Sequence, residues 1–203
     1  MPIIIDDLIQ GSDAWFSAKL GIPGSSLFDK IITTTGAISK QRTDYLYKLS
    51  AEILTGKHEE TYQSAAMTEG LNREDESRAL YEMITDTEVQ QVGVIFKDEQ
   101  RRYLCSPDGI VDNEWGLEMK NVLPKTQVGY LIGNKLPTQY ICQVQGSLLV
   151  TGFDRWDFFS YAPGLKPLII KVERDEKFIS RLEEELEKFS YELMAIVNKL
   201  KAM

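Results

Sequence analysis

Apolar and polar positions follow two different periods along the 203-residue chain. Near both ends, apolar residues recur every three or four positions, which is the pattern of amphipathic helices. The middle holds short apolar runs separated by Pro, Gly and Asp, which are typical of strands joined by turns. The order of these patterns predicts a mixed α+β or α/β fold, with a central mixed β-sheet flanked by helices.

Capping residues mark several predicted helices. Ser12 and Asp13 can cap a short helix that carries Trp15, and Ser25 and Ser26 can cap a second one. We predict further helices that end at Gly56, that cover about 63–84 and 137–150, and that follow the C-terminal amphipathic stretch from Phe178 to Leu200.

The β-type runs lie mainly in the middle of the chain. Runs at 92–96, 102–105, 109–111 and 116–120 are separated by turn residues and predict a meander of hairpins, and two longer runs follow at 155–161 and 168–173. Neither a Pro/Gly/Ser-rich linker nor an internal repeat divides the sequence. We therefore expect a single domain that spans residues 1–203.

The charge of the chain is unevenly distributed. Its 31 acidic and 23 basic residues give a net charge of −8, which by itself argues against a nucleic-acid partner, because such proteins usually present a basic surface. From 119 to 153, however, the sequence has no acidic residue, while Lys120 and Lys125 are present. This stretch is suited to a phosphate backbone, and Lys125 and Tyr140 are its candidate DNA contacts.

Some classes of chemistry are excluded by composition. His58 is the only histidine, which argues against Ser-His-Asp hydrolysis and excludes histidine-rich zinc sites. Cys105 and Cys142 lack C-x-x-C spacing, and we expect buried free thiols. Because neither a secretory signal nor an apolar run of about 18 residues is present, we expect a cytoplasmic protein with no membrane partner.

Two acids and a lysine form the most informative pattern. Asp108 lies in a Pro-Asp-Gly turn, and period two places Glu118 and Lys120 on one face of a strand, opposite Leu117 and Met119. Carboxylate oxygens bind hard divalent cations, and an ammonium group beside them can orient a water or a phosphate. On the pattern alone, a hairpin salt bridge explains these residues equally well.

The same pattern occurs a second time, at residues 175–177 (Asp-Glu-Lys), where it begins the charged C-terminal helix and is expected to face solvent. The predicted helix upstream of Asp108 is rich in acids. Most of them are expected to form a solvated face, and one can turn inward as a third metal ligand.

Several ordered blocks extend over nearly the whole chain. They are Ala14-Trp15-x-x-x-Lys19-Leu20-Gly21 followed by Ser26, Gly70-x-x-x-Glu74 with Arg78 and Leu80, Cys105-Ser106-Pro107-Asp108-Gly109, Gly116-Leu117-Glu118-Met119-Lys120, Tyr140-x-x-Gln143-Val144-Gln145 and Glu173-Arg174-Asp175-Glu176-Lys177. With these blocks the chain resembles the phage lambda exonuclease family of viral recombination nucleases, in the PD-(D/E)xK superfamily. The resemblance implies a restriction-endonuclease-like core.

The resemblance also implies roles for individual residues. Asp108 and Glu118 match the metal-binding carboxylates, Glu74 matches the third acid on a helix, Lys120 matches the catalytic lysine, and Gln143 matches the glutamine that holds the nucleophilic water. We expect Asp108, Glu118, Lys120 and Gln143 to be catalytic, and Asp108, Glu118, Glu74 and the backbone carbonyl of Met119 to hold metal.

Three residues match the family's pocket for the 5′-phosphate end of DNA: Lys19, Ser26 and Ser106. The family usually has arginine where Lys19 stands, and lysine retains the charge without the bidentate fork. Met67 matches an apolar residue that wedges between terminal base pairs, although a core methionine explains it equally well.

The implied activity is that of a Mg²⁺-dependent, processive 5′→3′ exonuclease acting on double-stranded DNA with a 5′-phosphate end. It would use two ions, with Mn²⁺ as a substitute, release 5′-mononucleotides and leave a 3′ single-stranded overhang. A homotrimeric ring, a phage single-strand annealing protein as partner, and a phage or prophage origin in a bacterial host are implied as well. The alternatives are an endonuclease of the same superfamily and a non-catalytic DNA-binding or assembly subunit.

Overall fold

The computed structural model describes residues 1–58 and 73–203, and it combines helices with two sheets. The described helices are α1 (Asp13–Lys19), α2 (Arg42–Thr55), α3 (Glu74–Thr85), α4 (Pro124–Gly133), α5 (Ile141–Thr151) and α6 (Glu176–Lys201), with 3-10 helices at Ser25–Lys30 and Thr138–Tyr140. The described strands are β1 (Ile3–Ile5), β2 (Val89–Gln90), β3 (Val94–Phe96), β4 (Leu104–Cys105), β5 (Gly109–Val111), β6 (Trp115–Asn121), β7 (Arg155–Tyr161) and β8 (Leu168–Glu173).

The larger sheet has the order β2-β5-β6-β7-β8 and is mixed. Strands β6 and β7 pair in parallel, and the other neighbours pair antiparallel. Parallel neighbours need a long crossover, and here α4 and α5 provide it. The central mixed sheet with flanking helices that the sequence predicts is confirmed.

Helix α5 is at the centre of the main core. Nearly every residue from Cys142 to Thr151 is buried, and the helix packs against the 3-10 helix at Ser25–Lys30 and against α6. Gly146 allows a close approach to Phe28, because a Cβ at this position would lie 2.3 Å from the Phe28 ring. The amphipathic face predicted for the C-terminal helix joins the same core through Leu182 and Phe189.

Two predicted caps are confirmed, and one is wrong. The Ser12 side chain accepts a hydrogen bond from the Trp15 amide at 3.2 Å, and Gly56 ends α2 in the left-handed conformation at φ +67°. Ser25 and Ser26 do not cap a helix, because Gly24 is the N-cap of this short 3-10 segment. The Ser25 hydroxyl instead hydrogen-bonds to that of Ser147 on α5, at 3.1 Å.

The four middle β-runs do not form one continuous meander. Strands β3 and β4 pair with β1 in a separate three-stranded sheet, whereas β5 and β6 belong to the larger one. The second edge of β4 is already occupied, since the Leu104 amide donates to the Pro23 carbonyl at 3.1 Å and Leu104 bridges Gly24. Strand β5 therefore cannot continue the ladder.

Other elements were not predicted from the pattern or differ in extent. Helix α4 contains Gly129 and ends at Gly133, and β1 and β2 have only three and two residues, so their local signals are weak. Of the helix predicted at about 63–84, the described part is α3, and positions 63–72 lie outside the described residues. No helix in the described ranges combines the length and apolar character of a membrane span.

Candidate active site

Strand β6 separates a polar face from an apolar one, as period two predicts. Leu117 and Met119 are buried in an apolar cluster together with Tyr81 of α3. Glu118 and Lys120 lie on the opposite face and line a cleft. The strand therefore places an acid and a lysine side by side without exposing its apolar residues.

Asp108 is held at the start of β5 by bonds to β6. Its backbone amide donates to the Leu117 carbonyl at 3.1 Å, and its Oδ2 accepts from the Met119 amide at 2.5 Å. Burial raises the pKa of Asp108, and the positive charge of Lys120 opposes this rise. The antiparallel turn thus brings Asp108 next to Glu118, as the pattern predicts.

Glu118 is the centre of a small hydrogen-bonded group. Its Oε1 pairs with the Lys120 ammonium and accepts a hydrogen bond from Gln143 Nε2 at 2.7 Å. Burial raises the pKa of Glu118 to about 7, with Lys120 opposing the rise. Burial lowers the pKa of Lys120, but attraction to Glu118 and Asp108 outweighs this effect and raises it overall.

The cleft beside this group also contains the predicted phosphate-binding residues. We call it the lysine cleft; its lining residues are Gln10, Trp15, Lys19, Gly24, Ser25, Ser26, Leu104, Ser106, Asp108, Glu118, Lys120 and Gln143. The Ser106 hydroxyl oxygen is buried and has no hydrogen-bond partner among the described residues. Lys19, Ser26 and Ser106 therefore lie in the same cleft as the two acids and Lys120.

Glu74 lies on the other side of Asp108, at the N-terminus of α3. A second cleft, which we call the acid cleft, is lined by Asp6, Leu8, Ile9, Gln10, Glu74, Arg78, Gln91, Val92 and Asp108. Burial raises the pKa of Glu74, and the negative charge of Asp108 adds to this rise. Within residues 1–58 and 73–203, no three acidic, histidine or cysteine side chains are close enough to form a ready-made metal cluster.

The predicted DNA contacts have different positions. Tyr140 lies beside the site, with its ring centroid 5.4 Å from the Lys120 ammonium and its ring packed on Phe158. Lys125 is exposed on α4 and lines neither cleft. Met67 lies outside the described residues.

Some residues that the sequence pattern did not single out also line these clefts. Gln10 and Trp15 lie in the lysine cleft, and Arg78 lies in the acid cleft. Trp15 and Arg78 belong to the blocks that carry the family resemblance, which is the signal that could have identified them. Gln10 lies outside those blocks, and nothing in its local sequence distinguishes it. Cys105 and Cys142 are buried free thiols, as expected.

The fold and these clefts can be compared with known proteins. Residues 14–154, which make up most of the chain, match the YqaJ-like viral recombinase domain. The chain belongs to the YqaJ-like viral recombinase family. The resemblance to viral recombination nucleases that the sequence indicated is therefore confirmed.

Solved structures agree with membership of the YqaJ-like family. An alkaline exonuclease (LHK-Exo) from Laribacter hongkongensis is 30% identical, with a TM-score of 0.86 over 94% of this chain and 97% of that chain. The crystal structure of LHK-Exo in complex with dAMP matches equally well. A phage-related exonuclease from Haemophilus somnus 129PT, 11% identical with a TM-score of 0.65 over 88% and 96% of the two chains, shares the fold. A search of curated protein sequences found no match.

Proposed function

We propose that this protein is a metal-dependent 5′→3′ exonuclease that digests one strand of double-stranded DNA. The observation that carries the proposal is the lysine cleft, in which Lys19, Ser26 and Ser106 lie beside Asp108 and Glu118. The three residues proposed to bind a terminal phosphate thus lie next to the two acids suited to phosphodiester hydrolysis. LHK-Exo is an alkaline exonuclease, which supports nuclease activity for this protein, and its complex with dAMP supports a nucleotide ligand.

The donor atoms fit a hard divalent cation. Asp108 and Glu118 offer carboxylate oxygens, and Mg²⁺ prefers one or two carboxylates together with water and phosphate. Their raised pKa values show that burial disfavours their charged forms, and a cation would relieve this penalty. Glu74, across Asp108, is the candidate acid for a second ion, and the Met119 carbonyl is a further candidate ligand. A bound cation supplies Lewis-acid stabilisation of negative charge on the phosphate.

The chain's own groups position the water and the substrate. Lys120 places a positive charge where the attacked phosphate gains negative charge, and it can orient the attacking water through its hydrogen atoms. Gln143 donates to Glu118 through one amide hydrogen, which fixes the amide so that its remaining groups can hold the same water. The ion pair between Lys120 and Glu118 keeps both side chains directed into the cleft.

The lysine cleft also supports the direction of digestion. Lys19 and the hydroxyl groups of Ser26 and Ser106 provide a cation and two donors for a 5′-phosphate. A strand anchored by its 5′ end places its first internal phosphodiester near Asp108 and Glu118, so cleavage releases a 5′-mononucleotide. A 3′ single-stranded overhang then remains for a phage single-strand annealing protein.

Other parts of the proposal concern the rest of the substrate and the assembly. Tyr140, which lies beside Lys120, and Lys125 on α4 contact the DNA backbone, and Met67 separates the terminal base pair. A homotrimeric ring around the duplex accounts for processive digestion, and an acidic exterior with a basic lining confines DNA to the channel. The site of action is the cytoplasm of a bacterial host.

One experiment separates this proposal from its alternatives. Linear duplexes with a labelled 5′-phosphate, linear duplexes with a 5′-hydroxyl, and closed circles are incubated with Mg²⁺, with Mn²⁺, or with a chelator. We expect cation-dependent release of labelled mononucleotides from the phosphorylated linear duplex and no cutting of circles. Equal cutting of circles would indicate the endonuclease instead. Binding without cleavage under every condition would indicate a non-catalytic subunit.

A further inference from the structure

Gln10 occupies a distinctive place between the two clefts. Gln10 and Asp108 are the two residues that line both the lysine cleft and the acid cleft. Gln10 lies in the loop between β1 and α1, almost a hundred positions before Asp108. Its contacts with the segment that carries Asp108 are therefore a consequence of the tertiary fold.

The Gln10 amide nitrogen joins two backbone segments. Nε2 donates to the Val92 carbonyl at 2.9 Å and to the Pro107 carbonyl at 2.8 Å. Both hydrogens of the amide are thereby used, and both acceptors are backbone groups. Pro107 directly precedes Asp108, so the second bond fixes the peptide group that links these two residues.

The local backbone holds Gln10 in position for these bonds. The Ser12 amide donates to the Ile9 carbonyl at 3.1 Å, which closes a turn over residues 9–12. Gly11 has φ +83° in this turn, a value that glycine adopts without steric penalty. The next helix is fixed as well, because the Trp15 ring nitrogen donates to the Gly93 carbonyl at 2.8 Å.

Asp108 is therefore held from several directions. Strand β6 holds its amide and its Oδ2 through Leu117 and Met119, and Gln10 holds the carbonyl of the preceding residue, Pro107. Asp108 Oδ1 accepts no hydrogen bond from the described residues and is available for a cation. We propose that Gln10 is a positioning residue that fixes Asp108 for cation binding at the boundary of the two clefts.

This inference rests on the proposed function, because it takes Asp108 as a cation ligand. Removing a group that orients a metal ligand typically weakens metal affinity by about 10- to 100-fold. Gln10 acts through the backbone of its neighbour, so we expect the lower end, about tenfold. The effect should appear in cation binding without DNA, which separates it from any effect on substrate binding.

The test measures Mn²⁺ binding to the DNA-free protein by calorimetry. Q10M retains the size of the side chain and removes both donors, and Q10N retains the amide but shortens its reach. The matched control is Q145M, because the Gln145 side chain also makes two hydrogen bonds to backbone groups, the Glu173 carbonyl and the Asp175 amide at 2.9 Å each, and lines neither cleft. We expect about tenfold weaker binding for Q10M, a smaller loss for Q10N and wild-type affinity for Q145M, with urea denaturation showing that all variants are folded.

Each other outcome has a defined meaning. Wild-type affinity in Q10M would overturn the role of Gln10 and leave the proposed site intact. Equal weakening in Q10M and Q145M would also overturn it, because the effect would then reflect general loosening of the fold. A wild-type protein that binds no Mn²⁺ would overturn both the cation site and the inference about Gln10.

Discussion

The Lys19 ammonium lies 3.4 Å from the centroid of the Trp15 ring, one turn away on α1. An aromatic face attracts a cation, but the surrounding protein removes water from the Lys19 ammonium, which disfavours its charged form. Burial lowers the pKa of Lys19 to about 7, and a nearby thiol, Cys105, opposes this effect. The candidate phosphate ligand therefore titrates in the physiological range.

We predict that the preference for a 5′-phosphate end falls as the pH rises above about 7. The phosphate binds the ammonium form of Lys19, so above the pKa each binding event must take up a proton, and affinity falls by at most about tenfold per pH unit. Below about pH 6 the phosphate itself loses charge, so the preference also weakens there. The measurement is the ratio of digestion rates for 5′-phosphate and 5′-hydroxyl duplexes between pH 5.5 and 9.

The variant K19R provides the matched comparison, because arginine stays charged throughout this range. Its preference should remain constant above pH 7. Taking the ratio of two substrates cancels pH effects on the chemical step, which both substrates share. An identical alkaline decline in K19R and the wild type would mean that another group causes it.

A second prediction concerns Lys120. Replacing it by Met removes the charge beside Glu118 and should lower kcat by about 10²- to 10⁴-fold, the range for losing a positioned proton-transfer or charge-stabilising group. The preference for 5′-phosphate ends should be unchanged. K171M, at an exposed position on β8, is the control and should behave as wild type. Activity in K120M within threefold of wild type would remove Lys120 from the proposed chemistry.

A third prediction tests the attachment of α3, which carries Glu74. Asp157 of β7 is fully buried; it pairs with Arg155 through bonds of 2.6 and 2.7 Å and accepts from the Tyr81 hydroxyl at 2.7 Å. D157N weakens the pairing with Arg155 and should lower the free energy of unfolding by about 2–4 kcal/mol. The loss is smaller than for a fully buried pair because Arg155 is partly exposed. Y81F removes the bond to Asp157 and the long one that the hydroxyl accepts from the Trp115 ring nitrogen at 3.4 Å, and it should lower the free energy of unfolding by about 1 kcal/mol.

Urea denaturation at neutral pH measures both changes. The order of the two variants is the informative result, because the charged pair should contribute more than the neutral hydroxyl. A loss below 1 kcal/mol in D157N would show that the charged pair within β7 contributes little to stability, and an unchanged Y81F would show that the Tyr81 hydroxyl does not help to hold α3 on the sheet.

A fourth prediction compares two glycines. A Cβ on Gly116 would lie 2.2 Å from the ring of Trp156, its partner across β6 and β7, so G116A should destabilise the protein by about 1–3 kcal/mol. Gly129 lies within α4, and apart from its neighbours in that helix none of the residues in 1–58 and 73–203 has an atom within 4 Å of its Cβ position, so G129A should stabilise the protein by about 0.5–1 kcal/mol. Thermal unfolding of both variants gives the signs directly, and equal shifts would contradict the account of β6 packing.

The sequence predicted several elements within a residue or two. Strands 155–161 and 168–173 and the end of α2 at Gly56 agree with the structure, because each has a strong local signal. Helix α4 did not show such a signal. Its stability comes partly from Gln127, whose buried amide bonds to backbone carbonyls at Ser160 and Lys166, and such long-range bonds leave no trace in local periodicity.

What the sequence by itself determined is the arrangement along a single strand. Alternation in β6 places Glu118 and Lys120 on one face and the apolar residues on the other, because the backbone of any strand enforces period two. Only the tertiary structure decided that Lys19 and Gln10 reach the same region, and that β4 and β5 separate into different sheets. These outcomes depend on packing and hydrogen bonds between segments almost a hundred residues apart, and no local pattern encodes such contacts.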